Sequence, residues 1–387
     1  SNATLIRFTD AAAKASGKYS GYEMDGTDVS ITAAGTYVFS GDCDDGSITV
    51  KKGVTGVTIV LNGLTLTNDD SAAITLNKTA EASLIAAAGT TNTVADTEGS
   101  NDENAAVKVK SGAALAIGGT GALTVDGNAK NGIKGAADAV ISVDEVALTI
   151  EAENDGLSCD DELNITGGTL SITAGGDAVK ASPDTGDTGN PDTTSLGNVT
   201  ISGGTLTLAT GDDGVHADND LVIGTKGASS TSTPRINITA SYEGLEGTTV
   251  TVYSGDIDVV ASDDGVNAAN STLGERSDKY AISIAGGDLY IDAGSDGLDS
   301  NNDINITGGK VEVYGADAMM DAAIDYDGTF TLSGGTLFGA GMEPSAGTQA
   351  LRSRAATMNT RSRCWPSTKP SRATTRQAGR SARMRRL

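Results

Sequence analysis

The chain has 387 residues, a formal net charge of −24 and only 4% aromatic residues, which is long enough for two ordinary domains but too poor in large rings to fill conventional cores. A single His and three widely spaced Cys exclude a disulfide framework and a Cys/His metal motif, and leave the redox compartment open. No run of 18 apolar residues is present, so a membrane-spanning helix is excluded, and the acidic balance argues against nucleic acid as a partner.

In chain order, Ser1-Asn2-Ala3 has the form of a scar left by a cleaved tag, and residues 4–29 precede the first repeat feature and are expected to form an N-terminal cap. Short alternating runs then begin at Ile31. Gly118-Gly119-Thr120-Gly121 lacks the Lys-Ser/Thr ending and the adjoining helix of a phosphate loop, so it reads as a corner turn.

From residue 154 a phrase built on Asp-Gly recurs: Asn154-Asp155-Gly156-Leu157, Asp212-Asp213-Gly214-Val215, Tyr242-Glu243-Gly244-Leu245, Asp263-Asp264-Gly265-Val266 and Ser295-Asp296-Gly297-Leu298. Gly176-Asp177-Ala178-Val179 and Ala316-Asp317-Ala318-Met319 are variants with Ala for Gly. The acidic residues fall 22, 36, 30, 21, 32 and 21 positions apart. The longer gaps contain loop-like insertions at 181–197, 224–234 and 269–279, so the basic period is about 21 residues.

Within one compact unit, Leu298, then Ile304 and Ile306, then Val311 and Val313 alternate with polar residues, the period of half-buried strands. Gly308-Gly309 separates the second run from the third, and the same punctuation recurs at 167–168, 203–204, 286–287 and 334–335. Three strands and three turns make one coil. The expected fold is all-β: a right-handed single-stranded parallel β-helix over residues 30–347, its interior filled by aligned Ile, Leu and Val. A β-sandwich is the rival, but it would not repeat at 21 and 22.

Residues 348–387 break this pattern. They carry 11 Lys or Arg and no acid, leaving 16 basic and 51 acidic side chains, or −35, on residues 1–347. Segments such as Arg361-Ser362-Arg363-Cys364-Trp365-Pro366 show no repeat feature, so this aberrant tail is either a basic arm or the product of a shifted reading frame.

Stacked coils set the acidic positions in a row along one corner. At about 4.8 Å and an effective dielectric near 20, neighbouring carboxylates repel by roughly 3 kcal/mol, so the row invites cations. Asp155, Asp177, Asp212, Asp213, Glu243, Glu246, Asp263, Asp264, Asn267, Asp296, Asp299, Asn301 and Asp303 offer hard oxygens, which suit calcium rather than zinc. Ordinary turn chemistry, with Asp capping backbone groups and Gly accepting positive φ, is the competing explanation.

One His makes a Ser-His-Asp set improbable to build. Lys180 and His216 share one position of successive coils, beside Asp177, Asp212 and Asp213. A Lys near acid-bound calcium is the constellation for β-elimination from an acidic sugar, with Lys180 as base, but a solvated Lys paired with the acidic row is the favoured account of it. Tyr242, Tyr253, Tyr290 and Tyr314 fall in the C-terminal half, and alternation points Tyr290 outward, where rings stack on sugars.

The run Ile31-Thr32-Ala33-Ala34-Gly35-Thr36-Tyr37-Val38-Phe39-Ser40-Gly41, with 89–94, Leu115-Ala116-Ile117-Gly118-Gly119-Thr120-Gly121 and the Asp-Gly coils, resembles the bacterial carbohydrate-binding β-helix family known for cellulose and acid-sugar binding. The resemblance spans about residues 25 to 345. It implies a secreted or cell-surface, calcium-bearing protein with a pectate-lyase-like fold, monomeric and acting as a binder of cellulose or acidic glycan. A calcium-dependent lyase and a structural surface stalk are the alternatives.

Overall fold

The computed structural model describes residues 3–16, 20–99, 103–183, 196–228, 233–316 and 321–341, with the backbone of 357–360. Apart from that backbone segment the basic tail lies outside the described residues, as does Asp317. The described residues are all β, without a helix.

Most parallel pairs join a strand to the one three places further along the chain, or two where a long strand spans a corner, which sorts the strands into three stacks. Stack A contains Asn131–Gly135, Leu157–Cys159, Val179–Ala181, Val266–Ala268, Leu298–Ser300 and Ile324–Tyr326. Stack B contains Val140–Val143, Glu162–Ile165, Asn198–Ile201, Ala281–Ile284 and Asp303–Ile306. Stack C contains Ala147–Ala152, Thr169–Ala174, Thr205–Thr210, Arg235–Ala240, Asp256–Val260, Asp288–Asp292, Lys310–Tyr314 and Thr336–Ala340. The longer strands Val215–Ile223 and Leu245–Val252 run through both A and B and join the stacks into one open, solenoid-like network. Antiparallel pairing is confined, among the described residues, to the N-terminal ribbons Ala3–Phe8 with Lys14–Ser16 and Tyr22–Asp25 with Asp28–Ile31.

Alternation aims every second side chain into a shared interior. In stack C the inward positions pair in the order Leu148, Leu170, Leu206, Ile236, Ile257, Leu289, Val311 and Leu337, all buried. No rung can bury these alone, and each such side chain removed from water contributes roughly 2 kcal/mol. Aliphatic ladders of this kind need few rings, hence the low aromatic content.

The two glycine classes serve different needs. In the Gly-Gly turns the second Gly adopts positive φ, +81° at Gly309, where an L side chain is strained. The Gly of the Asp-Gly phrase does not: at Gly265 an added Cβ would lie 2.2 Å from Ile291 Cγ2 and 2.6 Å from the Gly297 carbonyl oxygen. That phrase therefore needs glycine for close approach between rungs, not for the positive φ that its sequence suggests. The register also revises the last interval, since Leu298 pairs with Ile324 and so sets Ala322-Ala323 after Asp296-Gly297.

Candidate functional site

The acidic phrase forms the corner between stacks C and A. Six of the row residues accept, on a side-chain oxygen, the backbone amide of the row residue one rung further on. Asn131 Oδ1 accepts from the Asp155 amide at 3.1 Å, Asp155 Oδ1 from Asp177 at 3.3 Å, and Asp177 Oδ1 from Asp213 at 2.9 Å. Asp213 Oδ1 accepts from Glu243 at 3.3 Å, Asp264 Oδ1 from Asp296 at 2.9 Å, and Asp296 Oδ1 from Ala322. Asn131, Asp155, Asp177, Asp213, Asp264 and Asp296 are all buried; each of the five aspartates gives one oxygen to the backbone and keeps a second, whereas Asn131 has a single oxygen and donates its Nδ2 to the Asn104 carbonyl at 3.0 Å.

Three residues after the row position, stack A carries an outward ladder that pairs in the order Lys108, Lys134, Ser158, Lys180, His216, Glu246, Asn267, Asp299 and Asp325. It begins cationic and ends anionic.

In the middle the charges cancel. Lys180 Nζ is paired with Asp177 Oδ2. Burial opposes its charge, but the Asp177 carboxylate outweighs burial and holds the ammonium up to about 12. His216 Nδ1 lies 3.0 Å from Asp213 Oδ2 and beside Glu246 Oε2, and Nε2 lies 2.9 Å from Asp218 Oδ1. Burial disfavours imidazolium, yet hydrogen bonds to these three carboxylates raise His216 well above its ordinary value. Both ring nitrogens thus donate, and His216 acts as the counter-cation of the row.

Toward the C-terminal end no cation of this kind appears among the described ladder residues. Burial, then Glu246, pushes Glu243 up to about 9. Burial, then Asp264, Asp296, Asp325 and Asp327, pushes Asp299 up to about 8. Burial raises Asp296 to about 7 against the Ala322 amide, and it raises Asp264 too. Amid these acids Asn267 Nδ2 donates to Glu243 Oε2 at 3.0 Å, and Asn267 Oδ1 is buried without a hydrogen-bond partner. The side chains around Asn267 offer hard oxygens and one orphaned acceptor, donor chemistry of the kind calcium takes, while the described acids and histidine whose ligand atoms lie within 4.8 Å of one another are Asp213, His216 and Glu246, and Asp177, Asp212 and Asp213.

Other predicted residues stand apart from this group. Asp212 is exposed and Asp263 flanks Asp264, where it hydrogen-bonds Tyr242 and holds that phenol up to about 12. Asn301 sits between stacks, and Asp303 begins a strand of stack B and accepts from the Thr329 amide and hydroxyl, both at 2.8 Å. Of the tyrosines, Tyr290 and Tyr314 form a diagonal on the outer face of stack C, with ring centroids 5.6 Å apart, and Phe338 extends it at 5.7 Å from Tyr314. Tyr242 lies at the next corner and Tyr253 at the preceding one, so the four do not share one face. A groove of about 270 Å³ lies elsewhere, over small residues such as Ala82, Ser83 and Ala116.

Sequence reasoning overlooked Asn131, Asp218, Asp325 and Phe338. Asn131-Gly132-Ile133 is the same phrase with Asn for Asp, and Ala323-Ile324-Asp325 keeps the spacing of Gly297-Leu298-Asp299, so both were visible as variants. Asp218 had no periodic signal.

A family model described as carbohydrate-binding domain-containing protein matches residues 25–274 and 233–349. A solved structure described as the polysaccharide lyase-like protein from C. thermocellum, gadolinium derivative, is similar with a TM-score of 0.52 and 25% identity, over 73% of this chain and 96% of that one. No curated protein matches the chain.

Proposed function

The chain belongs to the family of carbohydrate-binding domain-containing proteins, and on that premise we propose a secreted or cell-surface polysaccharide-binding monomer whose acidic corner is completed by calcium. The observation that carries the calcium reading is the buried, unpartnered Asn267 Oδ1 among Glu243, Glu246, Asp264 and Asp299. Calcium bound there supplies positive charge that offsets the carboxylates and receives the acid group of a sugar. Glu243, Glu246, Asn267 and Asp299 would hold it, with Asp264 and Asp296 behind them.

We further read the solenoid as a right-handed β-helix, because parallel crossovers take that hand almost without exception, with coils of about 21 residues lengthened by insertions. Outward Tyr290, Tyr314 and Phe338 supply ring faces for stacking on sugars, and adjacent Glu312 accepts a hydrogen bond from Tyr314 at 2.7 Å. The lyase alternative is disfavoured, because Lys180 is ion-paired and its proton is held to about 12, far from a general base at neutral pH.

Retention on insoluble cellulose and on polygalacturonate, with calcium and with excess chelator, tests this reading. Calcium-dependent retention on polygalacturonate is expected. No retention on either polymer would leave the surface-stalk alternative standing, and unsaturated product absorbing in the ultraviolet would restore the lyase.

A further inference from the structure

The cationic end of the stack A ladder contains a lysine that the calcium reading does not use. Lys108 is paired in register with Lys134 on one side and with Thr75 on the other. Inward Val107 and Val109 flank it, so its side chain faces outward, half buried. Lys134 has its own counter-ion in Asp160, with Oδ1 at 2.6 Å, and also donates to Ser158 Oγ at 3.2 Å. Lys110 has Glu103 at 2.5 Å, Lys180 has Asp177, and Lys310 has Asp288 at 3.1 Å. Lys108 has no ion pair or hydrogen-bonded side-chain partner among the described residues, in a chain with 51 acids and 27 bases.

Asp160 offsets the charge of Lys134, so the ammonium left without a counter-ion is that of Lys108, one strand away at about 4.8 Å. An anion lying over this part of the ladder would supply the missing partner of Lys108 and reach Lys134 as well. Burial, then Lys134, lowers the affinity of Lys108 for its proton, with Glu103 and Asp160 working the other way and Lys110 adding to the repulsion. We infer that Lys108, with Lys134 beside it, is a direct anion subsite for an acidic glycan, taking a uronate carboxylate or a sulfate ester without a bridging metal. This rests on the polysaccharide-binding reading and adds a second contact to it. Lys108 and Asn267 are six rungs apart on one ladder, roughly 29 Å at strand spacing, so one extended anionic chain meets ammonium at one end and the acidic corner at the other.

The test uses the whole protein in excess chelator, which closes the calcium route, with polygalacturonate and dextran sulfate as separate probes in affinity electrophoresis at low salt. Wild type is expected to be retarded by at least one probe, and Lys108→Gln to lose that retardation at least tenfold in apparent affinity, with Lys108→Arg restoring it. The probe that responds identifies carboxylate or sulfate as the anion. Acetylation followed by mass spectrometry gives a second readout: Lys108 is modified faster than Lys310, and the bound probe protects it. Equal retardation of wild type and Lys108→Gln, or none of wild type in chelator while calcium-dependent retention persists, overturns the inference alone. Absence of retention on every polysaccharide, with calcium as well as without, overturns the proposed function and this inference together.

Discussion

Asn267 Nδ2 donates to Glu243 Oε2 at 3.0 Å across neighbouring rungs, while the Oδ1 of the same amide is buried with no donor to meet it. Half of this amide is satisfied by the protein and half is left for something positive. Calcium at about 100 times its dissociation constant should stabilise the fold by about 2.7 kcal/mol. Asn267→Ala is expected to remove most of that calcium-dependent gain, on top of a calcium-independent loss of about 1 kcal/mol for its hydrogen bond to Glu243, as measured by thermal unfolding against calcium concentration.

The pH dependence of the chelated protein is set by Glu243 at about 9, Asp299 at about 8 and Asp296 at about 7. All three lie above the ordinary carboxyl range near 4, so the folded state binds more protons than the unfolded chain. Their stabilisation is full below about pH 4 and is lost as pH rises through about 7 to 9. His216, also raised, adds a loss of the same sign. In chelator the melting temperature should fall between pH 5 and pH 9, and calcium should flatten the fall. A chelated protein whose melting temperature rises over that range would contradict the assignment.

The side-chain ladder makes a prediction that separates charge from hydrogen bonding. Asp155 Oδ1 accepts from the Asp177 amide, and Asn131 performs the same role one rung earlier. Asp155→Asn should be nearly neutral in denaturant unfolding, because an amide oxygen accepts as a carboxylate does. Asp155→Ala leaves a buried amide without a partner and should cost about 1–3 kcal/mol.

Gly265→Ala should be more damaging than its small size suggests. The new methyl would meet Ile291 Cγ2 at 2.2 Å and the Gly297 carbonyl oxygen at 2.6 Å, and neither a core side chain nor a rung backbone yields freely. A loss of about 3 kcal/mol is expected from overpacking, read from chemical denaturation.

Tyr290→Ala with Tyr314→Ala should weaken retention on cellulose at least tenfold with little change in melting temperature, since both rings project from stack C over a core already closed by Leu289, Ile291, Val311 and Val313. Unchanged retention would move the glycan contact off this face.

The Asp-Gly spacing exposed the corner and most of its acidic residues because a solenoid repeats in sequence what it repeats in space. Asp213, Glu243, Asp264 and Asp296 are related by the same register that relates Val215, Leu245, Val266 and Leu298, and a hydrophobic pattern is sufficient to read that register. Phe338 was missed because its partnership with Tyr314 is diagonal across two strands, and Asp218 because it lies off the repeat and is recruited only in the fold, by the His216 imidazole and the Ser182 hydroxyl. Asp303 was grouped with the corner by its spacing, but its carboxylate serves Thr329 in another stack.

Taken alone, the sequence determined an all-β repeat architecture, the interior aliphatic rows and the line of acids, because alternation and a fixed period are local properties of the chain. Only the tertiary structure decided which acids stay uncompensated. Lys180 and His216 meet Asp177 and Asp213 three residues away on their own rungs, a spacing the sequence already shows, but only the fold brings Glu246 to His216 and Glu243 to Asn267. Electrostatic balance at the corner is therefore set partly by local partners and partly by residues 24 to 30 positions away in sequence and one strand away in space.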